Sequence, residues 1–124
     1  MNYENWLSAQ KVVVIGAGTM GSGIAAHLAN LGFDVSLLDV TLESATNGLE
    51  RAKRARPQHF YTQGGPEYVR IGSIAENLDW IDEADWVCEA IIEKPEAKKE
   101  LFSLISSRIR PDAMISTNTS GLQI

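Results

Sequence analysis

Short, uniformly apolar runs alternate along this chain with segments whose apolar residues recur every three or four positions. Val12–Ile15 is apolar and β-branched throughout, as a central parallel strand covered on both faces should be. From Thr19 to Leu31 the apolar residues Met20, Ile24, Leu28 and Leu31 fall at helical spacing, which predicts a first helix with a sheet-facing stripe. Gly23 and the Ala25–Ala26 pair permit close approach to the sheet, and Gly32 ends the helix at a left-handed position. Phe33–Asp39 reads as a second strand. Thr41 then caps a second helix whose stripe is Leu42, Ala45, Leu49 and Ala52.

The pattern breaks at Pro57–Pro66, where Gly64-Gly65-Pro66 is the strongest turn signal. Beyond it come a short strand over Tyr68–Gly72, a short crossover helix over Glu76–Ile81 and a buried strand over Asp85–Ile92. Glu89 is the oddity of that strand, because a carboxylate in a parallel strand needs a partner or a place at the mouth of the sheet. Pro95 suits the first turn of a further helix, with the stripe Ala97, Leu101, Leu104 and Ile105. Pro111 stops it, Ala113–Ser116 begins another strand, and Thr117–Gly121 is a polar turn. The lead-in Met1–Gln10 is polar apart from Tyr3, Trp6 and Leu7, with Trp6 placed to pack under the sheet. The alternation predicts an α/β domain of Rossmann type. Its parallel sheet is doubly wound, in spatial order 3-2-1-4-5, with right-handed crossovers.

The first strand and helix are joined by Gly16-Ala17-Gly18-Thr19-Met20-Gly21, a G-x-G-x-x-G turn. In such a turn the first glycine bends the backbone out of the strand, the second lets a pyrophosphate approach, and the third lets helix and sheet touch. The helix then points its free N–H groups and positive dipole end at the phosphates. Asp39 ends the second strand roughly 20 residues on, where a carboxylate can accept both ribose hydroxyls. Strand, turn, helix and answering acid together predict dinucleotide binding, with NAD preferred over NADP because a 2′-phosphate would meet the charge of Asp39. The Ile92–Lys94 segment and the Asn118–Ser120 turn are expected to face the same crevice.

At 124 residues the chain is one domain at most, with 44% hydrophobic and 22% charged residues. A net charge of −5 and no basic stripe leave nucleic acid an unlikely partner. No apolar run approaches the roughly 18 residues of a membrane span, and the leader is too polar for a signal peptide. The single cysteine, Cys88, forms no internal disulfide, and nothing suggests a metal site. A reducing cytoplasm is the default compartment, with an organelle form whose targeting peptide has been removed as the alternative. His27 reads as a surface or packing residue of the first helix and His59 as a loop residue. The cations Arg51, Lys53, Arg54 and Arg56 at the end of the second helix have two readings. They complement the helix C-terminus, or they form an anion site for a phosphorylated substrate.

Three segments carry a resemblance to a family. They are Val14–Ala25, then Ala84-Asp85-Trp86-Val87-Cys88-Glu89-Ala90-Ile91-Ile92-Glu93-Lys94 with Lys98-Lys99-Glu100-Leu101-Phe102, then Ser116-Thr117-Asn118-Thr119-Ser120-Gly121-Leu122-Gln123-Ile124. In that order they resemble the NAD-binding domain of 3-hydroxyacyl-CoA dehydrogenases. The Gly-rich break and the stretch from Arg70 to Trp80 look most like the long bacterial members. The resemblance implies that Gly16, Gly18 and Gly21, with the backbone of Ala17, Thr19 and Met20, hold the pyrophosphate of NAD and that Asp39 takes the adenosine ribose. Glu93 and Lys98 match positions that contact NAD, against the alternative of a surface ion pair. Ser120 matches a serine touching both substrate and cofactor, the catalytic-site residue expected here.

The resemblance also implies a 3-hydroxyacyl-CoA substrate, fatty-acid β-oxidation, and a homodimeric parent with a helical domain beyond this chain. The family's general base is a histidine oriented by a glutamate, both beyond the turn at Ser120; neither His27 nor His59 aligns with it. The chain is therefore expected to be the amino-terminal NAD-binding piece (residues 1–124) of a longer protein, inactive alone. Other NAD-dependent 3-hydroxyacid or 3-hydroxybutyryl-CoA dehydrogenases, and a non-catalytic NAD-binding module, remain as alternatives.

Overall fold

The computed structural model describes residues 10–16, 18–54, 69–90 and 95–117. The expectations for Trp6, His59, Arg56 and Pro57–Pro66 lie outside them. In chain order the elements are β1 (Lys11–Ile15), α1 (Thr19–Asn30), β2 (Asp34–Asp39), α2 (Leu42–Lys53) and β3 (Val69–Ser73). A short helix α3 (Ile74–Asn77) and a 3₁₀ turn (Leu78–Glu83) follow, then β4 (Trp86–Glu89), α4 (Pro95–Arg108) and β5 (Met114–Thr117). The strands form one five-stranded sheet in order β3-β2-β1-β4-β5, with every pairing parallel. This is the doubly wound α/β architecture that the alternating pattern predicts.

Strand geometry sorts the apolar runs onto two faces, because successive side chains point opposite ways. Val12, Val14, Val35, Leu37 and Cys88 pack with Ala25, Ala26, Leu28 and Ala29 of α1 and Leu49 and Ala52 of α2. Val13, Ile15, Leu38 and Val87 pack on the other face with Ile81 of the 3₁₀ turn and Leu101 and Ile105 of α4. A strand buried on both faces has no polar side to alternate with, which is why β1 reads as an unbroken apolar run. The α1 and α2 contacts are made largely by alanine, with Gly48 also buried in α2, so these helices lie close on the sheet.

Several helical residues expected in the core are exposed instead. Leu31 is the C-cap residue of α1 and lies outside the helix proper. Leu42 occupies the first position of α2, ahead of the turn that reaches the sheet. Leu104 sits at the edge of a stripe that Leu101 and Ile105 bury. The crossover expected as one helix over Glu76–Ile81 is divided. The Ser73 hydroxyl accepts from the Glu76 N–H and starts α3 earlier, and the Asn77 side chain turns back to accept the Ser73 N–H at 3.0 Å. A side chain that bonds backward in this way competes with helix propagation, and the chain tightens into the 3₁₀ turn. Thr41 caps α2 as expected, accepting the Ser44 N–H at 3.1 Å. Gly32 has a positive φ of 101°.

The amino ends of three strands are joined by Asp85, a contact with no sequence signal. Its Oδ2 accepts the Lys11 N–H at 2.8 Å. Its own N–H donates to the Lys11 carbonyl at 2.8 Å, and its carbonyl accepts the Met114 N–H at 2.9 Å. The Arg110 guanidinium pairs with the remaining carboxylate oxygen. The Lys11 N–H, seconded by Arg110, holds the Asp85 carboxyl below its ordinary value in spite of partial burial. A carboxylate with a depressed folded-state value contributes stability above its unfolded value and loses it as pH falls through the folded one. Stability is therefore expected to drop as pH falls below the ordinary aspartate value of 3.8. In urea titrations across pH, Asp85→Asn should lower stability at neutral pH and converge on wild type in acid. A constant difference at all pH values would refute the clamp's ionic character.

Candidate functional site

The carboxyl end of the sheet is built around the exit from β1. Gly16 leaves the strand with φ 109°, a left-handed conformation that favours glycine. The Gly16 N–H donates to the Leu38 carbonyl at 2.7 Å, and the Ala90 N–H donates to the Ile15 carbonyl at 2.8 Å. The turn is thus anchored to β2 on one side and to the end of β4 on the other. Gly21 closes the contact from the helix. A Cβ there would stand 1.5 Å from the Gly16 carbonyl oxygen and 3.6 Å from the Ala90 Cβ, so no side chain fits.

Gly18 differs from both. Its φ of −68° is open to any residue, and it serves as the N-cap of α1. A Cβ at Gly18 would meet nothing within 4 Å. Neither backbone conformation nor packing calls for glycine here; clearance above the chain does, and a diphosphate resting on the loop would use that clearance. The helix end beneath it is prepared for an anion. It has no side-chain cap and no acid in its first turn, whereas α2 has Thr41 and Glu43, and α3 has Ser73 and Glu76. Ser22 was not singled out by the motif. It donates both its N–H, at 2.9 Å, and its hydroxyl to the Gly18 carbonyl, fixing that carbonyl to the helix and away from the open side. A small hydroxyl residue one turn after the second glycine is the signal that could have found it.

Asp39 ends β2 one residue beyond Leu38, whose carbonyl holds the glycine turn. It is half-buried, in register with Ser73. Its Oδ1 accepts the Val40 N–H at 2.7 Å, which orients the carboxylate at the strand tip. The structure therefore brings Gly16, Gly18, Gly21 and Asp39 to one end of the sheet. Thr19 and Met20 lie in the first turn of α1, and Lys98 lies in the first turn of α4. Ala17, Glu93 and Ser120 fall outside the described residues.

His27 is exposed near the end of α1, away from this edge. At the basic end of α2, Lys53 pairs with Glu50 at 2.9 Å, and Arg51 is also engaged, so these cations are partly spent on their own surroundings. No helix among the described residues is long and apolar enough to cross a membrane.

These features fit an NAD cradle, and comparison with known proteins agrees. The family described as 3-hydroxyacyl-CoA dehydrogenase, NAD binding domain, matches residues 11–124. A probable 3-hydroxyacyl-CoA dehydrogenase of Deinococcus radiodurans is 40% identical over 94% of this chain and 36% of its own length. A probable 3-hydroxybutyryl-CoA dehydrogenase of Bacillus subtilis is 36% identical over 95% of the chain and 43% of its own. The solved 3-hydroxybutyryl-CoA dehydrogenase of Escherichia coli K12 superposes with a TM-score of 0.74 at 31% identity, over 93% of this chain and 25% of that one. The chain thus spans less than half the length of each of these relatives. NAD is the cofactor this domain is built for, and the chain belongs to the 3-hydroxyacyl-CoA dehydrogenase family, of which it is an NAD-binding domain.

Proposed function

We infer that the parent of this domain oxidises (3S)-hydroxyacyl-CoA to 3-oxoacyl-CoA, as in fatty-acid β-oxidation, and that this chain supplies the cofactor half of its site. The observation that carries the reading is the clearance at Gly18, a glycine with no structural demand of its own above an uncapped helix end. Backbone amides of the glycine turn hold the diphosphate there. The Asp39 carboxylate accepts from the adenosine ribose. Glu93 accepts from the ribose on the nicotinamide side, Lys98 donates at the entry to α4, and Ser120 bonds the oxygen of the reacting carbon. NAD, when bound, takes up the hydride released at that carbon.

The hydroxyl proton needs a general base. The resemblance implies that this base is a histidine in the part of the longer relatives that this chain does not match. The same part would carry the acyl-chain cover and the dimer contact. A second reading, preference for a four-carbon substrate, is favoured by the 3-hydroxybutyryl-CoA dehydrogenases among the relatives. Substrate profiling of a full-length protein separates the two. Incubation of the 124-residue chain with acetoacetyl-CoA and NADH should give no turnover, and clear NADH oxidation would overturn the division of the site.

Calorimetric titration tests the cradle. Gly18→Ala should weaken NAD binding at least tenfold while moving stability by no more than about 1 kcal/mol. Gly21→Ala should cost about 1–3 kcal/mol or more in stability, because backbone must shift. Equal losses of stability in the two variants would remove the distinction. The wild-type chain should also bind NAD in preference to NADP, and Asp39→Ala should weaken NAD binding and narrow that preference. A wild-type preference for NADP would end the assignment of Asp39.

A further inference from the structure

Glu89 is a carboxylate with no solvent exposure, and the cradle described above leaves it without a role. It is the last residue of β4, in register with Ile15 of β1 and Thr117 of β5. Strand alternation puts it on the face of Val87, which packs with Ile15, Leu38, Leu101 and Ile105. The row across this end of the sheet on that face runs Gly72, Leu38, Ile15, Glu89 and Thr117. Glu89 is the ionisable member of that row, among aliphatic neighbours. Glu89 is not without a partner in the structure, and a buried carboxylate needs one to remain tolerable.

The position constrains what Glu89 can brace. Helix α4 packs on this face through Leu101 and Ile105 and begins at Pro95, after the chain has left Glu89. Its first turn, with N–H groups that lack helical partners, therefore stands at the carboxyl end of β4. Thr117, in register with Glu89, is the last residue of β5. The next residue, Ala90, is bonded to Ile15 and packs toward Gly21. Glu89 thus sits under the junction of the glycine turn, the entry to α4 and the end of β5.

We propose that Glu89 is a positioning residue for the nicotinamide half of the cofactor site, its buried carboxylate fixing the start of α4 against the end of β5. The proposal rests on the NAD reading given above. Asp39 on β2 and the glycine turn on β1 take the adenosine and diphosphate portion, so the remainder of the dinucleotide lies over β4 and β5, above Glu89. Loss of the brace therefore acts on NAD and spares ADP, which lacks the nicotinamide riboside.

The test is titration of the wild-type chain, Glu89→Gln and Glu89→Leu with NAD and with ADP, alongside thermal unfolding. Both variants are expected to bind NAD roughly tenfold more weakly, as for loss of a buried hydrogen bond, with ADP affinity held within about twofold. The leucine variant fills the same apolar row without a buried polar group and should remain folded. Equal loss of NAD and ADP affinity, unchanged NAD affinity, or unfolding of both variants would each assign Glu89 to the core alone and overturn the proposal. A wild-type chain that binds neither nucleotide fails the NAD reading itself, and the proposal falls with it.

Discussion

The structure depends on a contact from which side chains are excluded. The Gly16 carbonyl oxygen lies where a Cβ of Gly21 would be, 1.5 Å from it. The first turn of α1 is thereby pressed against the backbone leaving β1, and that proximity puts the helix N-terminus over the sheet's carboxyl edge. The same turn is held laterally by Leu38 of β2 and by Ala90 after β4. Shifting any one of these supports would move the helix end relative to the tip of β2, where Asp39 stands. A cofactor that needs amides and a carboxylate at a set separation is served by backbone contacts, because they have no rotamers to explore.

Charge is distributed accordingly between the two ends of the sheet. At the amino end, Asp85 and Arg110 close a structural clamp across β1, β4 and β5. At the carboxyl end, Asp39 is left half-buried at the strand tip and Glu89 is fully buried. Parallel strands make this separation possible. All of their carboxyl ends fall on one edge, so one end of the domain can be used for recognition while the other is committed to holding it together. The apolar faces between them need only be continuous, and they are.

Most of the architecture could be read from the chain because the strands are buried on both faces and the helices carry clear stripes. The order β3-β2-β1-β4-β5 follows from the glycine turn and the alternation alone. The exposed residues Leu31, Leu42 and Leu104 were not legible, since periodicity locates a stripe without locating its edges or the helix ends. The division of the crossover by Asn77 depends on a side chain bonding back to Ser73, a choice that spacing does not encode. The Asp85 clamp joins residues 74 and 25 positions apart, beyond the reach of any local pattern. The gathering of Gly16, Gly18, Gly21 and Asp39 at one edge was legible from the motif, and the contact of Ser22 was hidden because its partner is a backbone carbonyl. The oddity of Glu89 was visible in the sequence, but its complete burial was not.

The absence of acids from the first turn of α1 completes the argument for an anion at that end. Here Glu43 and Glu76 occupy the first turns of α2 and α3, where an acid stabilises a helix by about 0.3–1 kcal/mol. Helix α1 forgoes both that gain and a side-chain cap. A chain of net charge −5 also gives no long-range attraction to a phosphate, so affinity must come from short-range donors at the loop. Amides supply those donors without the desolvation of a lysine. A helix end bare of acids and a half-buried carboxylate at the tip of the adjoining strand are thus two consequences of one arrangement.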